Sequence, residues 1–173
     1  MEQYNIRTLS ERAMRYGTLL GLATIFTNLF YLLGLKLPFF STLFLLFLIA
    51  IPFFAGRITI IYRKRERENH LRFSEAWLFL LIMFLCAAIL SAIAQLIYFQ
   101  FFDKGFFIEF LLEQFNTLTE METVDAALQE QLTSTAELLK ALKPRDIVMQ
   151  IFVTNITFAP IITFIIAFFV KKK

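Results

Sequence analysis

The chain has 173 residues, of which 58% are hydrophobic and 23 are phenylalanine. A water-soluble domain of this length needs more polar surface to cover its core, so the composition indicates a protein embedded in lipid. The chain has one cysteine, Cys86, and one histidine, His70, which excludes an intramolecular disulfide and a metal site built from several thiolates or imidazoles.

Four long apolar segments predict four transmembrane helices. A helix needs about 20 apolar residues to cross a hydrocarbon core about 30 Å thick. Because lipid offers the backbone no hydrogen-bond partners, a spanning segment must bond internally, which selects helix. The sequence therefore predicts an all-α polytopic membrane protein with a single membrane domain over residues 1–173. The predicted spans cover about residues 16–35, 37–61, 76–102 and 147–170.

The residues before the first span resemble a cleaved signal peptide in charge, but the apolar run is too long and residues 34–38 offer no small-x-small cleavage site. We expect this span to remain in the mature protein. Ser10, Ser74 and Asp146 are predicted to cap the helices of the first, third and fourth spans. Pro52 and Pro160 fall inside predicted spans and predict local kinks.

A basic cluster begins near the end of the second span and continues through the loop that follows it. One interpretation is a topology signal alone, which cations beside a span commonly provide. The other is a contact for anionic lipid headgroups or for an acidic patch of a partner, because four to eight cations beside a span attract such groups. The candidate contact residues are Arg57, Arg63, Lys64, Arg65, Arg67 and Arg72.

Residues 103–146, between the third and fourth spans, are long, acidic and predicted to be helical. Phe106 begins an amphipathic stretch, and a second apolar stripe runs through an otherwise polar helix that ends before Pro144. The stripe is formed by Leu128, Leu132, Leu138, Leu139 and Leu142. These helices either pack on each other over the ends of the spans or present a docking face for a partner helix.

Three amide side chains lie inside predicted spans, and all three fall in the half of the bilayer nearer residues 103–146. Such amides usually hydrogen-bond between helices and stabilise their packing. The alternative is a small polar cavity that admits a solute or a lipid headgroup. The candidate polar patch consists of Asn28, Gln95 and Asn155.

The charge distribution predicts the orientation of the chain. The side that holds both termini and the loop 57–75 carries twelve cations and five acids, whereas the other side carries five cations and nine acids. Because cations near span ends are retained in the cytoplasm, both termini are predicted to be cytoplasmic and residues 103–146 extracytoplasmic.

The sequence contains no phosphate-binding glycine loop, nucleophile elbow or helix-borne zinc motif. We therefore expect no enzymatic activity, catalytic residue, metal or cofactor, and no binding of nucleic acid, since no recognition fold accompanies the basic residues. The leading interpretation is an accessory protein that contacts membrane lipids and binds a membrane-protein partner or a second copy of itself. The alternative is a small transporter or a lipid-headgroup-binding protein that uses the polar patch.

Several short motifs resemble the bacterial membrane-protein family catalogued as domain of unknown function 4199. Tyr16-Gly17 opens the first span, Tyr62-Arg63 closes the second, and Leu71-Arg72-Phe73-Ser74-Glu75-Ala76 opens the third. An acidic outer helix, Pro144 and a terminal Lys171-Lys172-Lys173 complete the similarity, although Arg67-Glu68-Asn69-His70 replaces the usual glycine-containing turn. The resemblance implies four spans and an inner-membrane location, and it implies no activity.

Overall fold

The computed structural model describes residues 6–119 and 126–172, and six α-helices account for most of them. Four of the six are long and apolar enough to cross a membrane. The predicted all-α polytopic membrane fold is therefore confirmed. The helices are α1 (Ile6–Gly34), α2 (Pro38–Glu66), α3 (Phe73–Phe101), α4 (Phe106–Thr119), α5 (Ala126–Ala141) and α6 (Pro144–Val170).

The predicted spans agree with α2, α3 and α6 to within a few residues, but α1 begins at Ile6 instead of near residue 16. With 29 residues, α1 is about 43 Å long, well beyond the roughly 30 Å of a hydrocarbon core. Its first turns are polar, and a salt bridge between Arg7 and Glu11 lies on them. Hydropathy detects only the apolar part of such a helix.

The prediction that Ser10 caps α1 is wrong, because Ser10 lies inside the helix and its hydroxyl donates to the carbonyl of Arg7. Ser74 likewise lies inside α3, as its second residue. At α3 the cap involves Glu75, whose carboxylate accepts the backbone N–H of Arg72 at 3.0 Å. This is the acidic half of a capping box, in which the third helical residue bonds the residue before the helix.

At α6 the same arrangement occurs. The carboxylate of Asp146 accepts the backbone N–H of Lys143 at 3.0 Å, and Pro144 is the first residue of the helix. Proline suits that position because its missing N–H would have no intrahelical partner there. Pro52 and Pro160 lie inside α2 and α6, which continue on both sides of them.

The described chain divides into two compact units. Unit 1 contains the residues up to Ala94 and those from Ile151 onward, and unit 2 contains Gln95–Gln150. In unit 1, α1 lies so close to α3 that a Cβ atom on Gly17 would be 2.8 Å from the Cβ of Cys86. A glycine is therefore required where these two helices meet.

The core of unit 1 includes a group of aromatic side chains that joins three helices. Tyr62 on α2 stacks on Phe79 on α3, with ring centroids 4.2 Å apart and planes inclined by 10°. Tyr16 on α1 meets both rings at centroid distances of 6.4 and 6.1 Å. Tyr62 and Phe79 are completely buried. This cluster fixes how α1, α2 and α3 meet at one end of the unit.

Unit 2 contains α4 and α5 together with the adjoining ends of α3 and α6. The turn into α4 uses a left-handed backbone at Lys104 and Gly105, and the buried carboxylate of Asp103 accepts the backbone N–H of Phe107 at 3.2 Å. Both predicted helices of this segment are present. Of the predicted stripe, Leu138 on α5 and Leu142 just after it are exposed, and Leu139 is half-buried. The side chains at 128 and 132 lie outside what the structure describes.

Candidate functional sites

One end of unit 1, which we call the basic end, gathers the start of α1, the end of α2, the start of α3 and the end of α6. Arg12 of α1 forms an ion pair with Glu66 of α2 at 3.1 Å. The hydroxyl of Tyr16 donates to the other oxygen of the same carboxylate at 3.4 Å. One acid therefore holds α1 and α2 together just beyond the aromatic cluster.

Two of the six predicted contact cations connect helix ends within unit 1. The guanidinium of Arg63 donates to the carbonyl of Val170, one of the terminal carbonyls that a helix leaves without an intrahelical partner. Arg67 forms a hydrogen-bonded ion pair with Glu75, and the side chains of the two residues are only 11% and 26% exposed. The sequence showed a row of cations, but these two side chains are already engaged in holding α2 to α6 and to α3.

The other four predicted cations are exposed, and they fall into two groups. On α2, Lys64 follows Arg57 by seven residues and Arg65 follows it by eight, so the three side chains share one face of that helix. Arg72 lies outside α2, as the residue immediately before α3. Of the six candidates, two are therefore engaged in contacts between helix ends and four are exposed.

A second cationic group lies where the start of α3 meets the end of α6. It consists of Arg72, Lys171 and Lys172, and we call it the α3/α6 seam. Leu71 and Lys172 form an antiparallel bridge with two backbone hydrogen bonds, of 2.9 and 3.0 Å. The ammonium of Lys171 lies over the ring of Phe168, 4.2 Å from its centroid, and 5.8 Å from that of Phe73.

The sequence did not indicate this group, because Arg72 and Lys171 lie about a hundred residues apart in the chain. Lys171 and Lys172 are exposed, as is Arg72, which follows the bridged Leu71. One signal in the sequence was Leu71 itself, an isolated apolar residue between His70 and Arg72 in a charged loop. It is 1% exposed in the folded chain.

Of the three predicted amides, Asn28 has a partner on a neighbouring helix. Its side-chain amide donates to the hydroxyl of Ser91 on α3 at 2.8 Å. The nearby hydroxyls of Thr24 and Thr27 donate to carbonyls of their own helix. Asn28 therefore holds α1 against α3, which is the packing role that such amides usually have.

The other two amides lie elsewhere. Gln95 is buried and belongs to unit 2, whereas Asn155 belongs to unit 1 and is exposed on α6. Asn28 and Asn155 thus differ in environment, one bonded between helices and the other on the open surface of its helix. Within residues 6–119 and 126–172, no three His, Cys, Asp or Glu side chains are grouped as a metal ion would require.

The family model described as "Protein of unknown function (DUF4199)" matches residues 15–172, which is nearly the whole chain. No curated protein and no solved structure matches the chain.

Proposed function

The chain belongs to the DUF4199 family of proteins of unknown function, and from this premise we propose that it is a non-enzymatic accessory membrane protein that works by pairing with a second copy of itself. The observation that supports this proposal is Asn155, an amide exposed in the middle of a membrane-spanning helix. A partner helix at this face would give that amide the hydrogen bonds that lipid cannot.

The depth of Asn155 makes its exposure costly. It lies fifteen residues before Val170, about 22 Å along α6, and eight residues after Ile147, about 12 Å. Both distances place the amide inside the hydrocarbon layer. Hydrogen bonds between membrane helices contribute roughly 0.6–2 kcal/mol each, so a partner that satisfies this amide is favoured over lipid.

The amide is self-complementary, which favours a second copy over an unrelated partner. An asparagine side chain both donates and accepts hydrogen bonds, so two of them related by a two-fold axis can satisfy each other. Phe158 and Ile162 are exposed on the same face of α6, three and seven residues after Asn155. They would supply the apolar contacts on one side of the amide pair.

Self-association of the full-length protein in lipid bilayers tests the proposal. We expect dimers whose population rises with the protein-to-lipid ratio, and Asn155→Leu should weaken dimerisation about fivefold or more, the equivalent of one interhelical hydrogen bond. Thr157→Val is the matched control, because Thr157 is exposed on α6 but its hydroxyl donates to the carbonyl of Val153. This control should dimerise like the unaltered protein.

Disulfide crosslinking locates the interface independently. In a Cys86→Ala background, Asn155→Cys should form a disulfide-linked dimer under mild oxidation, and Val153→Cys should not, because residue 153 lies on another face of α6. A protein that stays monomeric at every protein-to-lipid ratio contradicts the proposal. So does a dimer that Asn155→Leu leaves unchanged or that crosslinks equally at both positions.

The alternative of a transporter or an intramembrane headgroup binder receives less support. It requires the three amides to line one cavity, whereas Asn28 is bonded to Ser91 and Asn155 is exposed. We also propose that the protein resides in a bacterial inner membrane with both termini in the cytoplasm. The excess of cations on the side of the termini supports that orientation.

A further inference from the structure

We propose that the α3/α6 seam is a binding site for one anionic phospholipid, whose phosphate contacts Arg72 and Lys171 and whose acyl chain lies on the aromatic surface beside them. The site is distinct from the proposed dimer contact, because Lys171 directly follows α6 and comes sixteen residues after Asn155, which lies near the middle of that helix. The guanidinium of Arg72 and the ammonium of Lys171 both form charge-assisted hydrogen bonds to the oxygens of a phosphodiester.

The cations of the seam are held in place by the fold. The bridge between Leu71 and Lys172 fixes the two chain segments against each other, and its antiparallel register sets Arg72 opposite Lys171. The ammonium of Lys171 is further positioned 4.2 Å above the ring of Phe168. An ammonium that rests on a ring on one side keeps N–H donors for an anion on the other side.

One acid, Glu75, interacts with two arginines beside the seam. Glu75 is paired with Arg67 and also accepts the backbone N–H of Arg72. The side chain of Arg72 is exposed and also interacts by charge with this carboxylate, to which Arg67 is directly bonded. The charge that remains at the seam is positive, from Arg72, Lys171 and Lys172.

An apolar surface begins directly at the cations, and this favours a lipid over a soluble phosphate. Phe164 and Phe168 are 53% and 57% exposed on α6. The ring of Phe164 lies 5.1 Å from that of Phe73 and 6.4 Å from that of Trp77, so one aromatic wall crosses from α6 to α3. A phospholipid matches both parts, with its phosphate at the cations and a chain along the wall.

Exposed cations also occur on α2, at Lys64 and Arg65. No described contact orders those two side chains, whereas Lys171 lies over aromatic rings and its neighbour Lys172 is bridged to Leu71. The α2 cations therefore provide the matched control for the seam. Lys64 and Arg65 carry two charges, as many as the pair Arg72 and Lys171, at the same end of unit 1.

Trp77 makes the binding measurable, since it is the one tryptophan of the chain and belongs to the aromatic wall. The full-length protein is reconstituted in phosphatidylcholine bilayers with increasing fractions of brominated phosphatidylglycerol or brominated phosphatidylcholine, and quenching of Trp77 fluorescence is recorded. We expect phosphatidylglycerol to bind beside Trp77 about fivefold or more in preference to phosphatidylcholine, the factor expected for one cation near an anionic surface.

In Arg72→Gln/Lys171→Gln the preference should fall to about one, whereas Lys64→Gln/Arg65→Gln should keep it. Lys171→Arg should also keep most of it, because a guanidinium can occupy the same position over the ring. Quenching by brominated phosphatidylcholine in each variant, together with circular dichroism, confirms that the fold and the environment of Trp77 are unchanged.

Three results would overturn the proposal. Equal quenching of the unaltered protein by both lipids would show that the seam has no preference for an anionic headgroup. An equal loss in both double variants would show a general surface attraction instead of a site. Relief of the quenching by millimolar glycerol phosphate would identify a soluble phosphate as the ligand. None of these results depends on whether the protein dimerises through Asn155.

Discussion

Tyr62 and Phe79 form a nearly parallel stack between α2 and α3, with ring centroids 4.2 Å apart, and neither side chain is accessible to solvent or lipid. Aromatic pairs add about 0.5–1.5 kcal/mol beyond the area they bury. The stack lies next to the ion pair of Arg12 with Glu66, so packing and charge converge at the basic end of unit 1. Ring contacts, ion pairs and hydrogen bonds therefore connect the helix ends at the basic end.

We expect Phe79→Ala to destabilise the protein by about 1–3 kcal/mol. In water such a change costs about 3–5 kcal/mol, but lipid is as apolar as the core, so only the lost packing counts fully here. Reversible unfolding in mixed detergent micelles measures the difference. Phe169→Ala is the control, because Phe169 is 79% exposed and its removal leaves no cavity. Equal effects of the two changes would contradict the buried position of Phe79.

The second prediction compares two glycines that face neighbouring helices at different distances. A Cβ at Gly17 would lie 2.9 Å from the carbonyl oxygen of Met83, whereas one at Gly56 would lie 3.6 Å from Ile166, which is ordinary contact. Gly17→Ala should therefore force α1 away from α3 and cost about 1–3 kcal/mol.

Gly56→Ala should be neutral or stabilise the protein by up to about 1 kcal/mol, since alanine favours helix over glycine. Both variants are compared by unfolding in the same mixed micelles. If Gly17→Ala is tolerated as well as Gly56→Ala, then α1 and α3 do not approach as closely as described.

The third prediction concerns the ion pair between Arg67 and Glu75. Arg67→Gln or Glu75→Gln should each cost about 1–3 kcal/mol, because either change leaves a largely buried charge without this partner. The double variant should cost less than the two single changes added together. The free energy of unfolding of all four proteins gives the coupling energy of the pair.

The exposed pair of Arg7 with Glu11 provides the control for this cycle. Their side chains are 82% and 59% exposed, and such pairs contribute about 0–1 kcal/mol. The coupling energy of Arg7 with Glu11 should therefore be the smaller of the two. A larger value there than for Arg67 with Glu75 would contradict the assignment of Arg67 to a helix-joining contact.

The four spans could be predicted because unpaired backbone groups are costly in lipid, so a long apolar run that crosses a membrane must form a helix. The start of α1 could not, since residues 6–15 lie beyond the apolar run and Arg12 is held there by Glu66, which is distant in sequence. A long-range ion pair leaves no local pattern. The same holds for the bridge between Leu71 and Lys172, which created a cationic group that the linear sequence divides between a loop and a terminus.

The sequence also could not show on which face of its helix each amide side chain lies. In a span that is apolar on all sides, the hydrophobic pattern does not indicate which face packs inward, so Asn28 and Asn155 looked equivalent. The structure separates them, because the close approach at Gly17 turns Asn28 towards Ser91 on α3. Asn155 has no comparable constraint and lies on the exposed face of α6.

The last prediction is the orientation of the protein in its membrane. Single cysteines placed at Lys64 on α2 and at Glu137 on α5, in a Cys86→Ala background, should react from opposite sides with a reagent that does not cross the membrane. Both positions are exposed in the described structure, so accessibility within the protein does not limit labelling. Position 137 should react in intact cells, and position 64 only after the membrane is opened.

Changing the charges tests the cause of that orientation. If the cations near span ends determine it, replacing Lys64, Arg65 and Arg72 by glutamine should produce a fraction of chains in which position 137 becomes protected, because the excess of cations on that side is reduced. These side chains are exposed and make no described contact that holds helices together, so the fold should persist. Arg63 and Arg67 are left intact because their side chains hold helix ends together. If the single cysteine at position 64 is labelled in intact cells while Arg65 and Arg72 are retained, the predicted orientation is contradicted. The basic end, with its seam, would then lie outside.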